Sequence, residues 1–86
     1  MSNVEAVDRG WCTVIFDGRW LLFRRYGWRI EFELSYKPTP EERKTMLEIM
    51  DTVCEDEVHM IELAVKVARM MNNYLMQKRR KEKRHE

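Results

Sequence analysis

Residues 11–36 read WCTVIFDGRWLLFRRYGWRIEFELSY, and this stretch decides the fold. Its last nine residues alternate strictly. Trp28, Ile30, Phe32, Leu34 and Tyr36 fall on one side, and Arg29, Glu31, Glu33 and Ser35 on the other. A period of two is the signature of a half-buried strand. Asp17-Gly18 stands between two apolar runs, a strong short-range hairpin signal because glycine supplies positive φ. A two-residue loop there predicts Phe16 opposite Arg19, Val14 opposite Leu21 and Cys12 opposite Phe23. A second turn at Tyr26-Gly27 pairs Phe23 with Ile30 and Leu21 with Phe32. Directly opposed residues share a face. Cys12, Val14, Phe16, Leu21, Phe23, Ile30 and Phe32 therefore make the core side. Trp11, Thr13, Ile15, Trp20, Leu22 and Arg24 make the other, together with Arg29, Glu31 and Glu33. Register and alternation agree, which specifies the sheet.

Composition changes near residue 40. Eight of nine aromatics, all glycines and both prolines lie at or before Pro40, whereas six of seven methionines follow it. A long run without breakers reads as helix. Thr39-Pro40-Glu41-Glu42 carries a cap, a proline suited to the first helical position and the acid of a capping box. Thr52-x-x-Glu55 repeats the capping signal. Two helices are expected, over about 40–52 and 54–79, because a hairpin covers a sheet where a single long rod does not. The expected fold is α+β: a three-stranded antiparallel β-meander with a C-terminal helical hairpin, or one long helix, packed on one face. Residues 1–10 read as a flexible leader, 11–77 as one domain and 78–86 as a basic tail.

The chain has 86 residues and a formal net charge of +1. That near-balance hides an asymmetry, because KRRKEKRHE at the end holds six Lys/Arg and two Glu. The rest is mildly acidic, so the two parts need separate readings. Cys12 and Cys54 offer no disulfide framework and no CxxC pair. The first residues lack the apolar run of a signal peptide, and no uninterrupted apolar stretch is long enough to span a bilayer. A cytoplasmic protein, off the membrane, is expected.

Catalysis finds little purchase. Ser2 and Ser35 have no positioning motif, no Gly-rich phosphate loop occurs, and His85 lies in a charged tail. Asp56, Glu57, His59 and Glu62 put carboxylates and an imidazole on neighbouring helical turns. Di-iron bundles need such motifs from two helices and further glutamates. His59 fits better on a solvated face with Glu55, Glu62, Lys66, Arg69 and Asn73. No catalytic residue, metal or cofactor is expected.

Two surfaces exceed what the bare fold needs. The outer sheet face carries Trp11, Ile15, Trp20, Leu22, Arg24 and Arg29, residue types enriched at binding hot spots. Either a partner protein covers it, or Val4 and Val7 of the leader or a symmetric mate do. The second helix is apolar over most of its circumference, which predicts a homodimer through Ile61, Ala64, Ala68, Met71 and Leu75. The tail residues Lys78, Arg79, Arg80, Lys81, Lys83 and Arg84 suit nucleic acid, an acidic protein, anionic lipid or simple solvation.

The layout of residues 11–54 resembles the three-stranded-sheet-plus-helix DNA-binding domains of the integrase arm-binding type, which lay the sheet in the major groove. Residues 28–76 also admit a ribbon-helix-helix reading. In both, Glu31 and Glu33 would face phosphate, whose neutralisation supplies much of duplex affinity. The preferred expectation is a dimeric, non-enzymatic adaptor or inhibitor that occludes or bridges a protein, of a kind mobile elements or viruses encode. A DNA- or RNA-binding regulator is the alternative.

Overall fold

The computed structural model describes residues 4–53 and 59–83. Four strands precede two helices: β1 (Val4–Asp8), β2 (Thr13–Asp17), β3 (Trp20–Arg25), β4 (Trp28–Glu33), α1 (Pro40–Met50) and α2 (Met60–Lys83). The strands form one antiparallel sheet in the order β1-β2-β3-β4. The class is α+β, but the sheet has four strands where the sequence predicts three. The extra strand comes from the expected leader. Val4 to Asp8 run antiparallel to Asp17 to Thr13, placing β1 at the sheet edge. The three hairpins each turn at a glycine of positive φ, namely Gly10, Gly18 and Gly27.

The first of the expected hairpins needs a correction. Its loop is Gly18-Arg19, and the register pairs Phe16 with Leu21 and Val14 with Phe23. Gly18 stands at the first loop position with φ of 61°, the II′ arrangement. Strand β2 therefore runs one residue further than predicted, to Asp17, and β3 starts one residue later, at Trp20. Because both partners move together, the facing survives. The β3–β4 register is as predicted, with Phe23 opposite Ile30 and Leu21 opposite Phe32. There Tyr26 keeps negative φ and Gly27 alone takes φ of 92°, which relieves the tyrosine.

Both helices pack on the inner face. Val14, Phe16, Leu21 and Phe23 are buried there with Leu34, Met46 and Met50, and with Leu63, Ala64, Val67, Ala68, Met71 and Leu75 of α2. Trp28, Ile30 and Phe32 pack against this core but stay half-buried, because β4 is the other sheet edge. Hydrophobic burial of this kind is the main favourable term of folding.

Local chemistry sets the helix ends. At α1, Thr39 Oγ1 accepts from the Glu42 backbone N–H at 3.1 Å, and Glu42 Oε1 accepts from the Thr39 N–H at 2.8 Å. This is the expected capping box. The helix stops at Met50, where Asp51 caps it and Thr52 Oγ1 donates to the Ile49 carbonyl. The expected single or double helix resolves as two. The second starts at Met60 rather than 54, with His59 outside it, and residues 54–58, including the second capping box, lie outside the described residues.

Helix α2 continues to Lys83, so most of the expected tail belongs to the domain. Glu42 is 1% exposed, and Lys78 and Arg79 reach it at 3.3 and 2.9 Å. The same Arg79 nitrogen donates to the Lys37 carbonyl at 3.0 Å, and the guanidinium lies over the Tyr36 ring. Burial pushes the Glu42 carboxyl up. The Thr39 N–H, Lys78 and Arg79 outweigh it and hold the carboxyl below its ordinary value. Partial desolvation disfavours charge on Lys78, yet its bond to Glu42 raises it above its ordinary value. Farther along α1, Arg43 pairs with Glu5 of β1 at 3.2 Å and Asp51 pairs with Arg9. Thus α1 lies over the β1 side of the sheet. Asn72 of α2 accepts from the Ser35 N–H at 2.8 Å, just past β4, so α2 lies over the β4 side.

Candidate partner-binding surface

With both helices on the inner face, the outer face of the sheet has no covering element among the described residues. The registers arrange it as three rows running across the strands. Asp8, Thr13, Arg24 and Arg29 form one end row. Ala6, Ile15, Leu22 and Glu31 form the middle row. Val4, Asp17, Trp20 and Glu33 form the other end row. Trp20 is 47% exposed and Val4 48%, while Ile15 and Leu22 are half-buried by their neighbours on the face. A small apolar strip thus crosses the sheet centre, fringed by charge.

Of the six predicted outer-face residues, Ile15, Trp20, Leu22, Arg24 and Arg29 are brought together. Trp11 is not. It lies in the bend after Gly10, where strand alternation no longer applies, and it is buried in the core. Its carbonyl accepts from Arg25 Nη1 at 3.0 Å, which ties that bend to the end of β3. Val4 and Ala6 take its place on the outer face. The leader, expected to be flexible and offered as one possible cover for this face, instead extends it, and Val7 points inward opposite Val14. The signal for this was slender: Val4 and Ala6 at strand spacing ahead of a glycine turn.

The charges are largely self-compensating. Arg29 Nη2 donates to Glu31 Oε1 at 2.7 Å, and Arg19 lies 4.0 Å from Glu33. Exposed pairs of this kind contribute little to stability. They do leave the arginines less free to neutralise phosphate.

The predicted dimer set is also corrected. Ala64, Ala68, Met71 and Leu75 are fully buried inside the chain's own core, and only Ile61, 50% exposed, faces out. Most of the apolar arc of α2 is consumed because this helix packs on the sheet and on α1 together. The polar stripe is as expected: Glu62, Lys66, Arg69 and Asn73 are exposed, and His59 is exposed just before the helix.

Of the predicted tail, Lys78 and Arg79 are engaged with Glu42. Arg80 and Lys81 are exposed on α2, Lys83 ends the helix, and Arg84 lies outside the described residues.

Groups of catalytic type are scattered. Ser35 Oγ accepts from Asn72 Nδ2, which leaves it beside no base. Among the described residues no three His, Cys, Asp or Glu side chains gather as a metal would require. Cys12 is a buried free thiol; burial and, secondarily, Asp8 push it up to about 11 against the opposing pull of Arg25. It is a poor nucleophile at neutral pH. Asp56 and Glu57, predicted beside His59, fall outside the described residues. Among the described residues no helix is long and apolar enough to cross a membrane.

No protein-family model, no curated protein and no solved structure matches this chain.

Proposed function

We propose that the chain is a small non-enzymatic protein-interaction module that docks a protein partner on its outer sheet face, acting as an adaptor or inhibitor by bridging or occlusion. One observation carries this reading. Trp20, Ile15 and Leu22 lie together on a sheet face that neither helix covers. Contiguous apolar surface rimmed by charge is typical of interaction sites, and tryptophan is a leading hot-spot residue. A cytoplasmic setting belongs to the same reading, and the buried free thiol of Cys12 supports it.

Capture of partners from the native host tests it, using the wild type and Trp20→Ala with and without nuclease. Trp20 is half-exposed, so its removal leaves the core intact. Capture that survives nuclease, is lost with Trp20→Ala and changes modestly between low and moderate salt is the expected result. The alternative is a DNA- or RNA-binding regulator, favoured by the exposed Arg80 and Lys81. It predicts nuclease-sensitive capture and a steep salt dependence. A protein contacting about six phosphates loses roughly a thousandfold in affinity between about 50 and 200 mM salt.

A further inference from the structure

Strand β4 is a sheet edge whose free backbone groups can be assigned. Its two-residue turn closes on the hydrogen-bonded pair Arg25–Trp28, and bonded pairs then alternate with unbonded ones. Phe23–Ile30 and Leu21–Phe32 are bonded, and the Leu34 N–H donates to the Arg19 carbonyl at 2.7 Å in the same rhythm. The N–H and C=O groups of Arg29, Glu31 and Glu33 therefore point away from β3. Two apolar features sit beside this edge. On the inner face Trp28, Ile30 and Phe32 remain half-buried. On the flank of α2 above the edge, Ile61, Val65 and Met76 form a partly exposed stripe at helical spacing, with Asn72 among them bonded to Ser35.

We propose that β4 pairs antiparallel with β4 of a second copy of this chain, about a two-fold axis normal to the sheet at Ile30. Charge selects the occupant and the register. Arg29 then faces Glu31 of the second copy, and Glu31 faces its Arg29, both as hydrogen-bonded pairs. Sliding by one pair in one direction opposes two Glu31 side chains, which offsets the Arg29–Glu33 pairs formed there, and in the other direction opposes two Arg29 side chains. Charges on an edge strand ordinarily discourage pairing with other chains. Here their alternation makes the strand complementary to itself, as an isologous interface requires. The same rotation sets the two α2 helices antiparallel on the inner side, where Ile61 and Val65 of each lie beside the axis. It joins both outer faces into one eight-stranded surface with both Trp20 side chains on the same side. This assembly stands independently of what that surface binds.

Sedimentation or light scattering of the full chain at micromolar concentration tests it. A mass twice the monomer's 10.6 kDa is expected. Ile61→Glu, at a half-exposed site that tolerates charge, shifts the chain to monomer. Arg29→Glu weakens the dimer roughly tenfold through two like-charge oppositions, and the double variant Arg29→Glu/Glu31→Arg restores it. A monomer at about 100 µM, a range in which even weak contacts register, overturns the proposal. So does a dimer indifferent to Arg29→Glu, or a loss that the double variant does not repair. A dimer dissolved by Trp20→Ala instead places the contact on the outer face and equally overturns it.

Discussion

Glu42 Oε1 lies 2.9 Å from Arg79 Nη2, joining the first turn of α1 to the last turns of α2 across thirty-seven positions of sequence. One carboxylate thereby serves two ends. It completes the cap of its own helix and anchors the basic end of the other.

Replacing Glu42 by Ala is expected to destabilise the chain by about 3 kcal/mol in chemical denaturation. The change removes a buried charge partner and half of the capping box. The figure sits at the low end of the range for breaking a buried pair, because Arg79 is partly exposed. Glu42→Gln, which keeps a capping acceptor, should recover part of the loss.

The same group gives stability a defined pH dependence. Its folded value lies below the ordinary 4.5, so its contribution is fully present above that value. As pH falls through the depressed folded value, the carboxylate is protonated and the contribution disappears. Thermal melts between neutral pH and about pH 3 should show this loss in the wild type and a smaller one in Glu42→Gln.

Phe23→Ala should cost about 3–5 kcal/mol, and Glu33→Ala about 0.5 kcal/mol or less. Phe23 is fully buried in the core cluster, whereas Glu33 faces out on the edge strand. Urea titrations of the two variants check the facing of the sheet, and equal losses would mean that it is inverted.

Cys12 should resist alkylation at pH 8 in the folded chain and react quickly in denaturant. Its thiol is buried and raised to about 11. A Cys54→Ser variant isolates the signal. Labelling should then report transient opening of the sheet end rather than surface chemistry.

Much of this architecture was legible in the sequence because the β3–β4 segment states its facing twice, in alternation and in turn spacing. The misplaced Gly18 loop did little harm. A register change that moves both strands together returns every side chain to the same face. Strand β1 was hidden because VEAVD is short, has two acids and gains its order from pairing with β2. Trp11 was misread by continuing an alternation through a bend. The engaged Arg79 was illegible for another reason. A glutamate at the third helical position looks like a cap, and only the packed helices show that a second cation reaches it. The Trp20 surface followed from register alone, so it was largely visible. What α2 leaves exposed was not, since that depends on the neighbours the helix finds.

The strand order repeats the chain order; β2, β3 and β4 follow one another through turns of two residues, and β1 reaches β2 through four. Every ladder can therefore form between segments already close along the chain, with little loop entropy to overcome. Chains dominated by such local pairings cross the folding barrier quickly, by topology more than by stability. The slow closures are those of α1 onto the sheet, through Glu5–Arg43 and Arg9–Asp51, and of the two helices onto each other, through Glu42–Arg79. A mutation in one of the glycine turns should slow folding, whereas one in the Glu42 cluster should chiefly hasten unfolding.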